Sequence, residues 1–85
     1  MNSKILIVED DKEISRLLCS FLEEKGCETT ACRDGKTASD TMKKGGYDII
    51  LMDLMLPYKS GEELIKELRG YSDTPVIVLS AKSML

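Results

Sequence analysis

The sequence predicts an α/β fold, a doubly wound parallel sheet with helices on both faces. Two observations support this prediction. Short β-branched and apolar runs, typical of buried parallel strands, alternate with segments that have helical periodicity. Each segment between two strands is also long enough for the right-handed crossover that joins parallel strands. The expected element order is β-α-β-α-β-α-β, with the strands arranged 2-1-3-4 in the sheet.

The first part of the chain is expected to form a strand, a helix and a second strand. The β-branched run Lys4–Val8 indicates a strand that is covered on both faces. Apolar residues then recur at helical spacing over residues 14–22, which predicts an amphipathic helix, and Gly26 is placed to end it. Residues 27–32 are weakly apolar, so we expect this second strand at the edge of the sheet.

The middle of the chain contains the second helix and the third strand. This helix is expected over about residues 36–44, after a turn at Asp34 that can cap it. Within it, Ala38 and Met42 are four residues apart and should both face inward. A strongly apolar strand is expected over residues 47–53.

The last predicted elements are a helix and a strand. Ser60 followed by Glu63 has the spacing of a capping box, which marks a helix start. Leu64, Ile65 and Leu68 then supply its buried stripe. Val76–Leu79 is a strongly apolar fourth strand.

Composition restricts the class of protein. The chain of 85 residues is 42% hydrophobic and 32% charged, as in one small soluble domain. No apolar run approaches the length of a membrane span and no signal peptide is recognisable, so the cytoplasm is the expected location. The net charge of −3 argues against nucleic-acid binding by this segment itself. The three cysteines lack metal-binding spacing and are expected to be reduced thiols.

Acidic residues end two of the predicted strands. Asp53 interrupts the apolar run IILMDLMLP, although burying an unpaired carboxylate is costly. The first strand ends in Glu9 and Asp10. In a sheet of order 2-1-3-4, ligands bind beyond the carboxyl ends of strands one and three, where the order reverses. The three carboxylates should therefore meet in one crevice, with Ser80 at the end of the fourth strand on the same edge.

This arrangement indicates a metal-dependent phosphate chemistry. Carboxylates that lie close together repel one another, so at least one pKa should rise unless a cation is bound. The chain has no histidine, so a metal site must be built from oxygen atoms, which favours Mg²⁺. A carboxylate beside such an ion can attack phosphorus and form an acyl phosphate. The alternative is that these are ordinary acids in strand-end loops and that Ser80 bonds to nearby backbone.

Four segments resemble the receiver domain of two-component response regulators, in particular the subclass with a C-terminal winged-helix DNA-binding domain. They are ILIVEDD, YDIILMDLMLP, SGEELIKELR and TPVIVLSAK, and they cover nearly the whole chain in the right order. The resemblance implies a flavodoxin-like receiver fold. It also implies a phosphoacceptor module rather than an enzyme, acting in phosphorelay signal transduction and controlling an output such as transcription.

The resemblance assigns a role to each candidate residue. Asp53 would be the phosphoacceptor, and Ser80 the hydroxyl switch residue that turns toward the phosphoryl group. Glu9 and Asp10 would hold Mg²⁺ together with Asp53 and the backbone carbonyl of Met55. The next acid, at position 11, is expected to start the first helix instead.

The resemblance also implies partners. The phosphoryl donor would be a sensor histidine kinase or a small acyl phosphate, because this chain has no histidine of its own. DNA would be bound only through an output domain absent here, a homodimer is possible, and no membrane contact is expected.

The chain departs from the family pattern at its end. The fifth strand with its lysine and the last two helices are absent, and Lys82 follows the fourth strand too closely to replace that lysine. Residues 1–85 therefore resemble the N-terminal two-thirds of a receiver. The uncovered fourth strand is expected either to be completed by further chain or to cause self-association.

Three other functions share parts of this pattern. A flavin or nucleotide binder of the same topology needs a phosphate-binding loop after strand one, where this chain has repelling acids. A Mg²⁺-dependent phosphohydrolase normally has a second acid two residues after the first, where this chain has Met55. A receiver-like interaction module that is never phosphorylated is disfavoured by the complete set of candidate residues. Labelling by an acyl phosphate would distinguish these functions.

Overall fold

A computed structural model of the chain describes residues 2–79 and contains the predicted alternation of strands and helices. The elements are β1 (Lys4–Val8), α1 (Lys12–Glu24), β2 (Glu28–Cys32), α2 (Gly35–Lys44), β3 (Ile49–Asp53), α3 (Gly61–Arg69) and β4 (Val76–Leu79). The longest helix, α1, has 13 residues. None of the helices within residues 2–79 is long and apolar enough to span a membrane.

The four strands form one parallel sheet in the order β2-β1-β3-β4, which confirms the predicted topology. β1 and β3 are the central pair. At their carboxyl ends Val8 lies opposite Met52 on one side and opposite Cys32 on the other. Whatever follows Val8 therefore lies beside the end of β3, at the point where the strand order reverses.

The main apolar core lies between the sheet and the pair α2 and α3. The strand and helix residues that form it are Leu6, Val8, Cys32, Ala38, Met42, Ile50, Met52, Leu64 and Leu68. The inward orientation predicted for α2 and α3 is thereby confirmed. Because these side chains are almost fully buried, they fix how the ends of β1 and β3 are placed.

Each helix begins at a side-chain cap. Asp11 accepts hydrogen bonds from the backbone N–H groups of Glu13 and Ile14 at 2.9 and 3.1 Å, as predicted for a helix-start residue. Asp34 caps α2 in the same way, and Ser60 accepts from the N–H of Glu63 at 3.2 Å. These caps satisfy N–H groups that have no partner within the helix.

The structure corrects several boundaries and the expected burial of α1. β2 begins at Glu28 and β3 at Ile49, one and two residues later than predicted, and α2 begins one residue earlier. Only part of the apolar stripe of α1 is buried. Leu18 and Leu22 are partly buried, whereas Leu17 is 71% exposed. No element within residues 2–79 covers that outer part of the helix.

Candidate functional site

The structure brings together the three carboxylates that the sequence predicts at the strand ends. One carboxylate oxygen from each of Glu9, Asp10 and Asp53 lies within 4.8 Å of the others. Glu9 follows β1 and Asp53 is the last residue of β3, so adjacent parallel strands place them side by side. Glu9 and Asp53 are each only 4% exposed.

Backbone hydrogen bonds fix the two buried carboxylates. The N–H of Glu9 donates to the carbonyl of Cys32 at 3.1 Å, which holds the exit of β1 against the end of β2. One Glu9 carboxylate oxygen accepts from the N–H of Asp11 at 3.0 Å. An Asp53 oxygen accepts from the N–H of Met55 at 3.1 Å. Both carboxylates are therefore oriented by main-chain groups two residues further along the chain.

The electrostatics of this acidic cluster are dominated by Glu9. The pKa of Glu9 is raised from its ordinary value of 4.5 to about 7, and burial is the largest cause. Within this net shift, the hydrogen bond from the Asp11 N–H acts to lower the pKa, and the neighbouring carboxyl groups of Asp10 and Asp53 act to raise it. The predicted rise in pKa is thus confirmed for Glu9. A cation in the cluster would favour the ionised form and displace the proton.

The loop after β3, residues 54–60, is packed closely against α2. Its Pro57 carbonyl accepts from the N–H of Gly35 at 3.2 Å. A β-carbon at Gly35 would overlap the Lys59 backbone, and one at Gly61 would overlap the carbonyl of Asp53. Both positions therefore require glycine for close backbone approach rather than for an unusual φ.

A polar network also holds this loop in place. Lys59 forms an ion pair with Glu67 on α3, and Glu67 accepts a hydrogen bond from the Ser39 hydroxyl on α2 at 3.0 Å. The Lys59 ammonium group lowers the pKa of the Glu67 carboxyl, and the Ser39 hydrogen bond lowers it further. Neither this network nor the close backbone approach at Gly35 was predicted from the sequence. The one sequence signal for the latter is the glycine that directly follows the capping residue Asp34.

The other predicted site residues are placed as follows. Asp11 does not belong to the cluster, because its side chain caps α1. Met55 is 61% exposed, and its N–H bonds to Asp53. Ser80 and Lys82 lie outside the described residues.

The donor set of the cluster fits a hard divalent cation. All three candidate ligand side chains are carboxylates, and the chain has no histidine to recruit a softer metal. Mg²⁺ is bound through few carboxylates, keeps several of its water ligands and leaves room for phosphate oxygens.

Comparison with known proteins identifies similarities over nearly the whole chain. A family model described as the response regulator receiver domain matches residues 5–85. The regulatory protein VanRB of Enterococcus faecalis is 39% identical over 83 residues, which are 98% of this chain and 38% of VanRB. The transcriptional regulatory protein CpxR of Escherichia coli is 40% identical over 80 residues, 94% of this chain and 34% of CpxR. The chain thus spans little more than a third of these relatives.

A solved structure gives the same result for the fold. The response regulator TrrA of Thermotoga maritima, determined in complex with Mg²⁺-BeF, superposes with a TM-score of 0.88 at 32% identity. The match covers 96% of this chain and 72% of the TrrA chain. The parallel four-stranded arrangement is therefore shared with a solved response regulator.

Proposed function

The chain belongs to the family of response regulator receiver domains, and on this basis we propose that Asp53 accepts a phosphoryl group in a Mg²⁺-dependent reaction. The observation that carries the proposal is the convergence of the Glu9, Asp10 and Asp53 carboxylates within 4.8 Å at the strand-order reversal. Only Asp53 of the three is the last residue of a central strand, followed by a rigidly held loop.

The remaining acids would hold the ion. We assign Glu9, Asp10, Asp53 and the backbone carbonyl of Met55 as the Mg²⁺ ligands. When bound, Mg²⁺ would neutralise the charge that develops on the transferred phosphoryl group. The Mg²⁺-BeF complex of TrrA supports this assignment by analogy. The hydrogen bond from the Met55 N–H to Asp53 keeps the proposed carbonyl ligand next to the acceptor.

The transfer itself needs few protein groups. A carboxylate oxygen of Asp53 attacks the phosphorus atom of the donor, forming an acyl phosphate as the bond between phosphorus and the donor atom breaks. For a phosphohistidine donor the leaving group is the imidazole nitrogen, which keeps the electron pair of that bond and can take up a proton. The chain has no histidine, so the donor would be another molecule, a sensor histidine kinase or a small acyl phosphate.

We place this reaction within a transcription response. CpxR is named a transcriptional regulator, and this chain matches only 34% of its length. Residues 1–85 would then be the N-terminal two-thirds of a receiver, with an output domain that binds DNA elsewhere in the protein. Ser80 would sense the phosphoryl group through its hydroxyl.

Labelling with acetyl phosphate and Mg²⁺ tests the acceptor. We expect Asp53→Asn to abolish the mass increase of one phosphoryl group, because an amide is not a nucleophile toward phosphorus. Asp48→Asn is the matched control: Asp48 lies just before the opposite end of β3, where it accepts from the N–H of Lys4, which an amide oxygen can also do. If Asp53→Asn is labelled as fully as the Asp48 variant, another residue is the acceptor.

A further inference from the structure

A cleft with a different chemistry opens between α1 and the end of β2. It has a volume of about 310 Å³ and is lined by Lys12, Ser15, Arg16, Cys19, Ala31 and Arg33. Three of these six residues are cationic, although the net charge of the whole chain is −3. We call this feature the basic cleft.

The cationic side chains of the basic cleft do not contribute ion pairs or hydrogen bonds to the described part of the fold. Within residues 2–79, the side chains of Lys12, Arg16 and Arg33 form no ion pair and no hydrogen bond. By contrast, Lys59 pairs with Glu67, and Arg69 donates to two backbone carbonyls. The positive charges around the cleft therefore remain available to a ligand.

The hydroxyl of Ser15 supplies the second observation. Ser15 is only 5% exposed and lines the basic cleft, yet its hydroxyl forms no hydrogen bond within residues 2–79. Its Oγ atom is not one of the fully enclosed polar atoms in the described part of the chain, so it stays accessible from the cleft. A hydroxyl at this position can donate to an anion that enters the cleft.

The basic cleft is adjacent to the acidic cluster at the same edge of the sheet. Arg33 directly follows Cys32, whose carbonyl accepts from the N–H of Glu9 at 3.1 Å. Lys12 is the first residue of α1, two positions after Asp10. The acidic cluster and the cations of the basic cleft are thus separated by only a few residues. An anion is repelled by the cluster and attracted by the neighbouring cleft.

We propose that the basic cleft binds the phosphate group of a small molecule. Two guanidinium groups and one ammonium group offer only donors, and the hydroxyl can donate as well, which suits a dianion with several acceptor oxygens better than a single carboxylate. Guanidinium groups can bind such an anion through paired hydrogen bonds. The cleft volume is within the usual range for small-ligand sites. This proposal does not depend on phosphoryl transfer to Asp53.

Cys19 provides a direct probe, since it lies in the wall of the basic cleft and is partly exposed. The rate of its alkylation by iodoacetamide can be followed by mass spectrometry at micromolar protein, without Mg²⁺ and at constant ionic strength. We expect inorganic phosphate to slow alkylation of Cys19 in a saturable manner. Cys27, which is also partly exposed but lies outside the cleft, should react at an unchanged rate.

Paired variants identify the groups responsible. The double variant Arg16→Gln, Arg33→Gln should weaken the protection at least about tenfold in phosphate concentration, because two charge-assisted contacts are lost. Lys43→Gln, Lys44→Gln removes the same charge from the last turn of α2 and should leave the protection unchanged. Ser15→Ala should weaken it by a smaller factor.

Several outcomes would overturn the proposal. Equal slowing at Cys19 and Cys27 would indicate general stabilisation, and no slowing would show that phosphate does not bind in the cleft. Equal behaviour of the two double variants would show an effect of net charge alone. Stronger protection by a hexaglutamate peptide than by phosphate or glycerol phosphate would assign the cleft to an acidic protein surface instead.

Discussion

At the scale of the residue, Glu9 carries the strongest electrostatic conflict in the described part of the chain. The residue directly follows β1 and is buried, and the carboxyl groups of Asp10 and Asp53 lie within 4.8 Å. Its hydrogen bond from the Asp11 N–H opposes this effect only in part, so the pKa stays near 7. These are also the positions at which we propose that Mg²⁺ is bound.

The pH dependence of stability should report this conflict. The ordinary carboxyl pKa of 4.5 describes the unfolded chain, and the folded value is about 7, so the folded state binds the proton more tightly. The free energy of unfolding should therefore fall as pH rises from about 4.5 to 7, and this contribution should be lost above that range. Urea unfolding at pH 5 and pH 8 measures the difference, and Glu9→Gln should reduce it. An unchanged pH dependence in Glu9→Gln would contradict the assignment.

Mg²⁺ binding should depend on the acids of the cluster and not on acidic charge in general. We expect Asp10→Asn to weaken Mg²⁺ binding about tenfold or more, because one of the few carboxylate ligands is lost. Asp40→Asn on α2 removes the same charge at an exposed position and should have little effect. Amide shifts during a Mg²⁺ titration provide the measurement. Shifts that centre on other acids would contradict the site.

The residues of the acidic cluster were predictable, whereas the contacts around it were not. Glu9, Asp10 and Asp53 follow or end strands whose apolar character is clear in the sequence, and the parallel topology then places them together. The contact between Lys59, Glu67 and Ser39 joins a loop to two helices. These polar side chains follow no apolar periodicity from which their contacts could be predicted. They come within bonding distance of one another only because α2 packs against α3.

At the scale of the element, the loop after β3 depends on two glycines. Gly61→Ala should lower the free energy of unfolding by about 2 kcal/mol, because the added β-carbon meets the Asp53 carbonyl and backbone must move. The same displacement should slow labelling at Asp53. Gly70→Ala is the control, since Gly70 has helical φ and a looser contact with the Glu67 carbonyl. Equal stability of the two variants would show that the loop adapts at no cost.

The cap of α1 should be separable from the acidic cluster. Asp11→Ala should cost about 1 kcal/mol of stability, because two N–H groups of the first turn lose their acceptor. Asp11→Ser should restore most of it. Mg²⁺ binding should change little in both, since the bond from position 11 to Glu9 comes from the main chain. A large loss of Mg²⁺ affinity in Asp11→Ser would make Asp11 a ligand.

The helix and strand types were predictable, but burial was predictable only in part. Periodicity shows that α1 has an apolar stripe, and it does not show how much of the stripe a neighbour covers. Leu18 and Leu22 pack inward, whereas Ile14, Leu17 and Phe21 are 47%, 71% and 54% exposed. The start of β3 was also predicted two residues too early. Tyr47 and Asp48 continue the run from which the strand was predicted, but the first residue of β3 that pairs with β1 is Ile49.

At the scale of the whole molecule, the described sheet has apolar surface on both faces of β4. Ile77 is 50% exposed and Val78 is 43% exposed, although they point to opposite faces. Ile77 lies opposite Leu51 and Val78 opposite Met52. Within residues 2–79, β4 is paired only on the side of β3. Such an edge attracts further strands.

We therefore expect the 85-residue chain to self-associate unless further chain covers β4. Light scattering should show a mean mass that increases with concentration. Ile77→Lys should reduce this increase by placing a charge beside the exposed edge. Thr30→Lys adds the same charge to β2, the other edge strand, and should reduce it less. A cooperatively folding monomer at high concentration would contradict the expectation.

The pairing of β1 with β3 also determines when the acidic residues first meet during folding. Lys4 and Asp48, which are joined at the start of this pair, are 44 residues apart in sequence. Closing such a distance is slow compared with forming the local turns of a helix. Glu9 and Asp53 lie at the far end of the pair, beyond the Val8–Met52 contact and at the last position of β3. A pairing that begins at the Lys4–Asp48 end would therefore bring these carboxylates together only after the apolar positions of the two strands have paired.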